Sequence, residues 1–194
     1  APFADQVEIL SGGTPKTKEP RYWGGETPWF SVVDAPRDSD VFVLDTEKHI
    51  TDLGVENSAA RVYDSQVTII TARGTVGKVA LTAKPMAFNQ SCYGLRGMEL
   101  QKTRYVYFAT KALVDELQRI AHGSVFDTIT RRTFESVKVP KSPESVAVAY
   151  DAFVTPWLEL ILSNCKESQT LAQLRDLLLP KLLSGEIRVA DAEK

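Results

Sequence analysis

Histidine and cysteine are scarce, with two of each in 194 residues. Cys92 and Cys165 lie far apart, and neither His49 nor His122 stands beside a cysteine. No zinc framework is therefore spaced for a metal, and two reduced thiols suit a cytoplasmic compartment. No uninterrupted apolar run reaches the roughly 18–20 residues that cross a bilayer, and no signal peptide opens the chain. No membrane is expected. The first residue is Ala rather than Met, which reads as a processed or cut terminus. An excess of one charge is also missing: 23 Lys and Arg face 25 Asp and Glu, for a net charge of −2. The total does not advertise nucleic acid; only a local basic surface could do so.

Two glycine-rich stretches resemble nucleotide cradles and fail as such. In "ARGTVGK" (72–78) only Thr75 and Val76 separate Gly74 from Gly77, and Val79 follows Lys78. A P-loop needs four intervening residues and a Ser or Thr after its lysine to wrap phosphates. The stretch reads instead as strand, tight turn and strand, with Arg73 and Lys78 at its edges. "SGG" at 11–13 also lacks the G-x-G-x-x-G spacing, and no strand–helix unit follows it. Local spacing assembles no Ser-His-Asp, Cys-His or His-carboxylate cluster.

Short apolar and β-branched runs occupy 7–10, 27–33, 41–44, 67–71, 78–82 and 92–96, separated by Gly, Pro, Asp and Asn. A helical pattern fills 104–121, placing Val106, Leu113, Leu117 and Ile120 near one face, with Gly123 as its stop. The fold class expected is α+β: a globular domain (1–142) with a twisted, mixed or antiparallel sheet and helices. The texture changes at "KVPKSPES", where Ser142 is an N-cap and Pro143 a first helical residue. Beyond it a seven-residue register runs through Val146, Tyr150, Phe153, Trp157, Leu160, Asn164, Glu167, Leu171, Leu174 and Leu178. This second part (143–194) is expected to be a long helix and a C-terminal tail, the helix carrying a seam for another helix, to be paired as an antiparallel coiled coil. Pro156 and Pro180 should kink or restart it, and Gly185 should cap it.

Basic and polar residues interleave with aromatics on the expected loops. Lys16, Lys18 and Arg21 precede Tyr22 and Trp23; Arg73, Thr75 and Lys78 surround the glycine turn. Thr14 lies in the first loop, Asn89 and Gln90 follow Phe88, and Arg131 and Arg132 follow "TIT". Lys and Arg suit phosphates, Arg suits guanine and Asn or Gln suits adenine edges. Trp23 and Trp29 read as structural anchors.

Five stretches carry a resemblance: "SGGTPKTKEPRYWGGETPWFSVVD" (11–34), "TARGTVGKVAL" (71–81), "FNQSCYGLRG" (88–97), "ITRRTFESVKVPKSP" (129–143) and "LRDLLLPKLLSGEIRV" (174–189). In this order they resemble half of a specificity (S) subunit of a Type I DNA restriction–modification enzyme, one target-recognition domain followed by one spacer helix. The resemblance implies sequence-specific binding of double-stranded DNA without catalysis, by a subunit that directs methyltransferase (M) and restriction (R) subunits to a split target. S-adenosylmethionine and ATP belong to those partners, so the chain itself needs no cofactor or metal. A full S subunit has two such halves. A homodimer through Phe153, Trp157, Leu160, Leu171, Leu174 and Leu178 would restore them; the other readings are a fragment of a two-domain subunit and a helical adaptor that binds M subunits without reading DNA. If helical, 156–180 is about 37 Å long, comparable with the roughly 34 Å between half-sites one DNA turn apart.

Overall fold

The computed structural model describes residues 1–37, 40–98, 102–122, 128–140 and 142–187. It has the expected α+β architecture, divided into two compact units, Ala1–Pro156 and Trp157–Lys194.

The first unit is organised by one strand, β5 (Thr68–Thr71), whose four residues are all buried. Its β-branched run suits a pleated strand covered on both faces. β8 (Cys92–Gly97) pairs antiparallel with β5 on one edge and with β1 (Val7–Ser11) on the other. β6 (Val79–Thr82) returns antiparallel to β5, and the two-residue β3 (Phe42–Val43) joins parallel to β6. The sheet order is β1-β8-β5-β6-β3. A smaller sheet, β4-β2-β7, is built on β2 (Trp23–Phe30), flanked by β4 (His49–Ile50) and β7 (Ala87–Phe88).

Because side chains alternate along a strand, β5 serves two layers. Ile69 joins Leu10, Ala80 and Cys92 in a core with Phe30, Met86 and Phe88 from around the second sheet. Thr68 and Ile70 face the other way, toward α2 (Thr103–His122), which packs on β5, β6 and β8. The buried α2 residues Val106, Tyr107, Thr110, Leu117 and Ala121 recur at helical spacing. Leu113 and Ile120, expected on that face, are only half-buried. The Gly123 stop lies outside the described residues.

Two further short helices, α1 (Asp52–Glu56) and α3 (Arg131–Ser136), start at threonine N-caps, Thr51 and Thr130. The N-terminal residues pair with 137–139: the Phe3 N–H donates to Val137 O (2.9 Å) and the Val139 N–H to Ala1 O (2.9 Å). The start and the end of this unit are thereby stitched together.

α4 (Glu144–Leu183) begins one residue later than the sequence suggests. Pro143 O accepts the first helical bond, from the Ala147 N–H, while the Ser142 hydroxyl bonds Tyr105 Oη (2.8 Å) instead of capping. Neither Pro156 nor Pro180 interrupts the helix. Each proline forgoes its own N–H bond, but the turns on both sides keep theirs, so the helix does not restart at either. Gly185 caps as expected, donating to Leu182 O (3.2 Å). By length and composition α4 is also apolar enough to cross a membrane, with a window of mean hydropathy 1.4. Scanning for an unbroken apolar run overlooks this, because scattered charges hide the average; a helix covered by other helices has the same composition.

The first turns of α4 belong to the first unit and hold α2. The buried Asp151 carboxylate accepts the Tyr105 N–H at 2.7 Å and faces the Arg104 guanidinium at 3.5 Å. It occupies the N-terminal turn of α2, where N–H groups lack helical partners. Tyr105 and Phe108 also meet Tyr150 edge-on, at 6.1 and 5.7 Å between ring centroids. Asp151→Ala is expected to cost about 1.5–3 kcal/mol, the range for a hydrogen bond to a charged group, as read by urea denaturation.

Cys92 is 1 % exposed, and burial, reinforced by the Asp34 carboxylate, pushes its thiol up to about 12. The folded state therefore keeps a proton that the unfolded chain releases near pH 9. Stability is expected to fall as pH rises from about 9 toward 12, and native protein should be alkylated at Cys165 but not at Cys92. Denaturation midpoints across that range and mass spectrometry after iodoacetamide check the two outcomes.

Candidate nucleic-acid interface

The motif loops converge because β1, β8, β5 and β6 alternate in direction. Ser11 pairs with Tyr93, Thr71 with Cys92 and Ile70 with Val79. The loop after β1, the turn after β5 and the residues before β8 therefore emerge at one end of the sheet. Segment 128–132 reaches the same end, with the Ile129 N–H on Ala72 O (3.0 Å).

The first of these loops is held by close backbone contact. The Gly13 N–H donates to Phe88 O at 2.9 Å. A side chain on Gly12 would meet Asn89 O at 2.1 Å, and one on Gly13 would meet the Ala59 carbonyl carbon at 2.3 Å. The glycines are required by this approach and not by any phosphate. The loop then runs back along β2: Trp29 Nε1 donates to Gly13 O (2.9 Å) and Trp23 Nε1 to Lys16 O (3.3 Å). The two indoles meet edge-to-face at 5.0 Å. Both tryptophans anchor the loop, as the sequence suggests. With Gly25, Lys48 and His49 they line a cleft of about 530 Å³.

The second loop is a closed turn. The Gly77 N–H donates to Thr71 O (2.9 Å), the Lys78 N–H to Thr71 Oγ1 (3.0 Å) and the Thr71 hydroxyl to Thr75 O. Gly74 and Gly77 supply the positive φ angles, 76° and 89°. Gln118 Nε2 of α2 pins the turn through Val76 O (2.7 Å). Arg73 and Thr75 stand exposed on it, and Lys78 is half-buried at its foot.

The structure brings together most, but not all, of the residues singled out in the sequence. Thr14 donates its hydroxyl to Gln90 Oε1, linking the first loop to the residues before β8. Asn89 Oδ1 accepts the Ser91 N–H (3.0 Å), so this side chain shapes its own turn. Arg131 donates to Ile9 O (2.8 Å) and Ser11 Oγ (3.2 Å), tying α3 to β1, while Arg132 beside it is exposed. Lys16 and Lys18 are exposed along the returning loop. Arg21, at the start of β2, lies apart from the convergent end and pairs with Glu19 at 2.9 Å. Among the described residues singled out in the sequence, four exposed or half-buried cations share that end, Arg73, Lys78, Arg131 and Arg132, and the loop after β1 carries Lys16 and Lys18.

Sequence reasoning did not single out three further exposed cations, Arg37, Lys48 and Lys111. The first two lie in 35–52, the stretch that also carries β3 and β4. Asp45 braces that stretch, accepting from His49 Nε2 (2.9 Å) and Lys84 Nζ (3.0 Å). Burial raises the Asp45 carboxyl, but the Lys84, Thr46 and His49 hydrogen bonds outweigh it and hold the group below the ordinary carboxylate range.

Gly13→Ala must displace the loop from Ala59. It is expected to cost about 1–3 kcal/mol, the range for overpacking, and to loosen the loop carrying Lys16 and Lys18. Thermal melts, with limited proteolysis at those lysines, check it.

Comparisons with known proteins bear on the family and the fold. The family model described as the Type I restriction modification DNA specificity domain matches residues 3–144. The MjaIX specificity subunit of a Type I restriction enzyme, from Methanocaldococcus jannaschii, is 30 % identical over 143 residues, covering 72 % of this chain and 33 % of its own length. The HindI specificity subunit from Haemophilus influenzae is 25 % identical over 188 residues, 95 % of this chain and 40 % of its own. Two solved structures share the fold. The S subunit from M. genitalium has a TM-score of 0.65 at 17 % identity, over 94 % of this chain and 44 % of that one. The HsdS subunit from Thermoanaerobacter tengcongensis has a TM-score of 0.54 at 19 % identity, over 96 % and 45 %. The chain thus spans between about a third and just under half of each relative's length. With the matched domain covering most of its residues, the chain belongs to the Type I restriction–modification DNA specificity family.

Proposed function

We propose that this chain reads double-stranded DNA for a Type I restriction–modification system and performs no catalytic step itself. The observation that carries the reading is the convergence at one end of the sheet of motif loops bearing Arg73, Thr75, Lys78, Gln90 and Arg132. Residues 1–142 form the reading head and 143–194 the pairing and spacing helix with its C-terminal tail. S-adenosylmethionine and ATP stay on the M and R subunits, and the assembly works in the cytoplasm.

The second unit supports a role in assembly. Trp157, Leu160, Leu171, Leu174 and Leu178 are 41–62 % exposed, an amount of apolar surface a lone helix does not carry stably in water. Phe153, just before this unit, is 70 % exposed. The exposed Leu177, Leu178, Leu179, Leu182 and Leu183 reach beyond one seam: at 100° per residue they cover well over half the helix circumference. One antiparallel helix from a second copy would cover the seam, and M subunits the remainder. A homodimer also supplies the second reading head, and its two identical heads make the target a palindrome with a non-specific spacer.

Duplex binding, alone or with M subunits, should weaken steeply with salt, because phosphate contacts release counterions. Fluorescence anisotropy on labelled duplexes tests it, and failure to bind any duplex at low salt removes the reading. Binding to M subunits without any DNA preference would select the adaptor instead. Leu171→Glu with Leu174→Glu should convert a dimer to a monomer in sedimentation at micromolar concentration. An unchanged profile means the seam lies elsewhere, and a wild-type monomer rejects the homodimer. Adenine-methylation mapping with the M partner should return a palindromic site.

A further inference from the structure

The polar break in the seam of α4 is placed symmetrically. Outward from the midpoint between Cys165 and Lys166, the seam positions are Asn164 and Glu167, then Leu160 and Leu171, then Trp157 and Leu174. All six are exposed along the continuous helix. The two polar residues therefore sit at the centre, and each step outward adds an apolar residue on either side.

This placement separates the ways in which two copies could pair. Parallel copies in register would set Glu167 against Glu167, bringing two like charges together inside the seam. Antiparallel copies related by a twofold axis at the midpoint set each Asn164 against Glu167 of the other copy. The asparagine amide can then donate to the carboxylate, a hydrogen bond strengthened by its ionised acceptor. The axis forms this contact twice. Leu160 then meets Leu171, and Trp157 meets Leu174, so apolar layers close over the polar one from both sides.

Sliding one copy by a heptad would move Asn164 onto Leu160 or Leu174, and Glu167 onto Trp157 or Leu171. Each polar group would then lose water without gaining a partner. The flanking positions nearest the centre, Ile161, Ser163, Ser168 and Thr170, carry no charge. No ion pair beside the seam there competes to set the register.

We infer that α4 is built to pair with a second copy of itself in one antiparallel register, keyed by the two Asn164–Glu167 contacts about an axis between Cys165 and Lys166. A polar residue at a single seam position is known to specify register in this way, at some cost in stability. The inference rests on the homodimer proposed above and adds where along the helix the two copies meet.

The test uses the full chain with Asp176→Cys, on the side of α4 opposite the seam, and Cys165→Ser. A nitroxide label then goes to position 176 alone, because Cys92 is buried. With the axis at the midpoint, the two labels differ in level by about 21 residues, or about 32 Å along the pair. Pulsed electron resonance should return one distance population of that order. A slip of one heptad changes the separation by about 10 Å, and a parallel pair brings the labels level. Either result overturns the register while the homodimer stands; a monomer in sedimentation removes both. A second arm adds Asn164→Leu with Glu167→Leu. The dimer should persist on its wholly apolar seam, with new populations about 10 Å shorter or longer as the register slips. A single population unchanged from the parent would show that the polar pair sets no register, and the inference would fall.

Discussion

The double pairing of β8 is the constraint on which the rest of the head depends. Its backbone is hydrogen-bonded to β1 on one edge and to β5 on the other. That arrangement fixes where Gln90 meets Thr14, where Ala72 takes the Ser91 carbonyl, and how far the glycine turn stands from the first loop. Backbone ladders of this kind are indifferent to the loop residues they carry. A frame of this kind stays in place when the residues at its loop tips change.

Much of this frame was legible in the residues. All six expected runs contain or overlap strands, because β-branched and alternating stretches bounded by Gly and Pro admit few other conformations. β4 and β7 were missed: two residues carry no periodicity, and both exist only because β2 lies between them. α3 escaped because its capping box pairs Thr130 with Thr133, without the Glu or Gln that usually betrays one. Pro156 does not restart α4, since one absent donor does not end a helix supported on both sides.

The site was less legible than the fold, and for a different reason. A basic residue in a sequence does not reveal whether its charge faces solvent or is tied to its own chain. Arg131 is a structural tie to β1 and Asn89 caps its own turn, although both have side chains suited to DNA. Lys111 looked like any charge on the wet face of a helix, and only the packing of α2 against the glycine turn places it beside Lys78 and Arg37. The stretches that carried the resemblance mostly build the frame, with Gly12 and Gly13 spaced by backbone contact and not by a ligand.

The stitching of residues 1–3 to 137–139 has a consequence for how such a protein changes over time. Both ends of the head meet at one seam, just before α4 begins. A genetic exchange joined at those two neighbouring points would replace the whole sheet, its loops and α2 in one event while leaving the rest of α4 as it is.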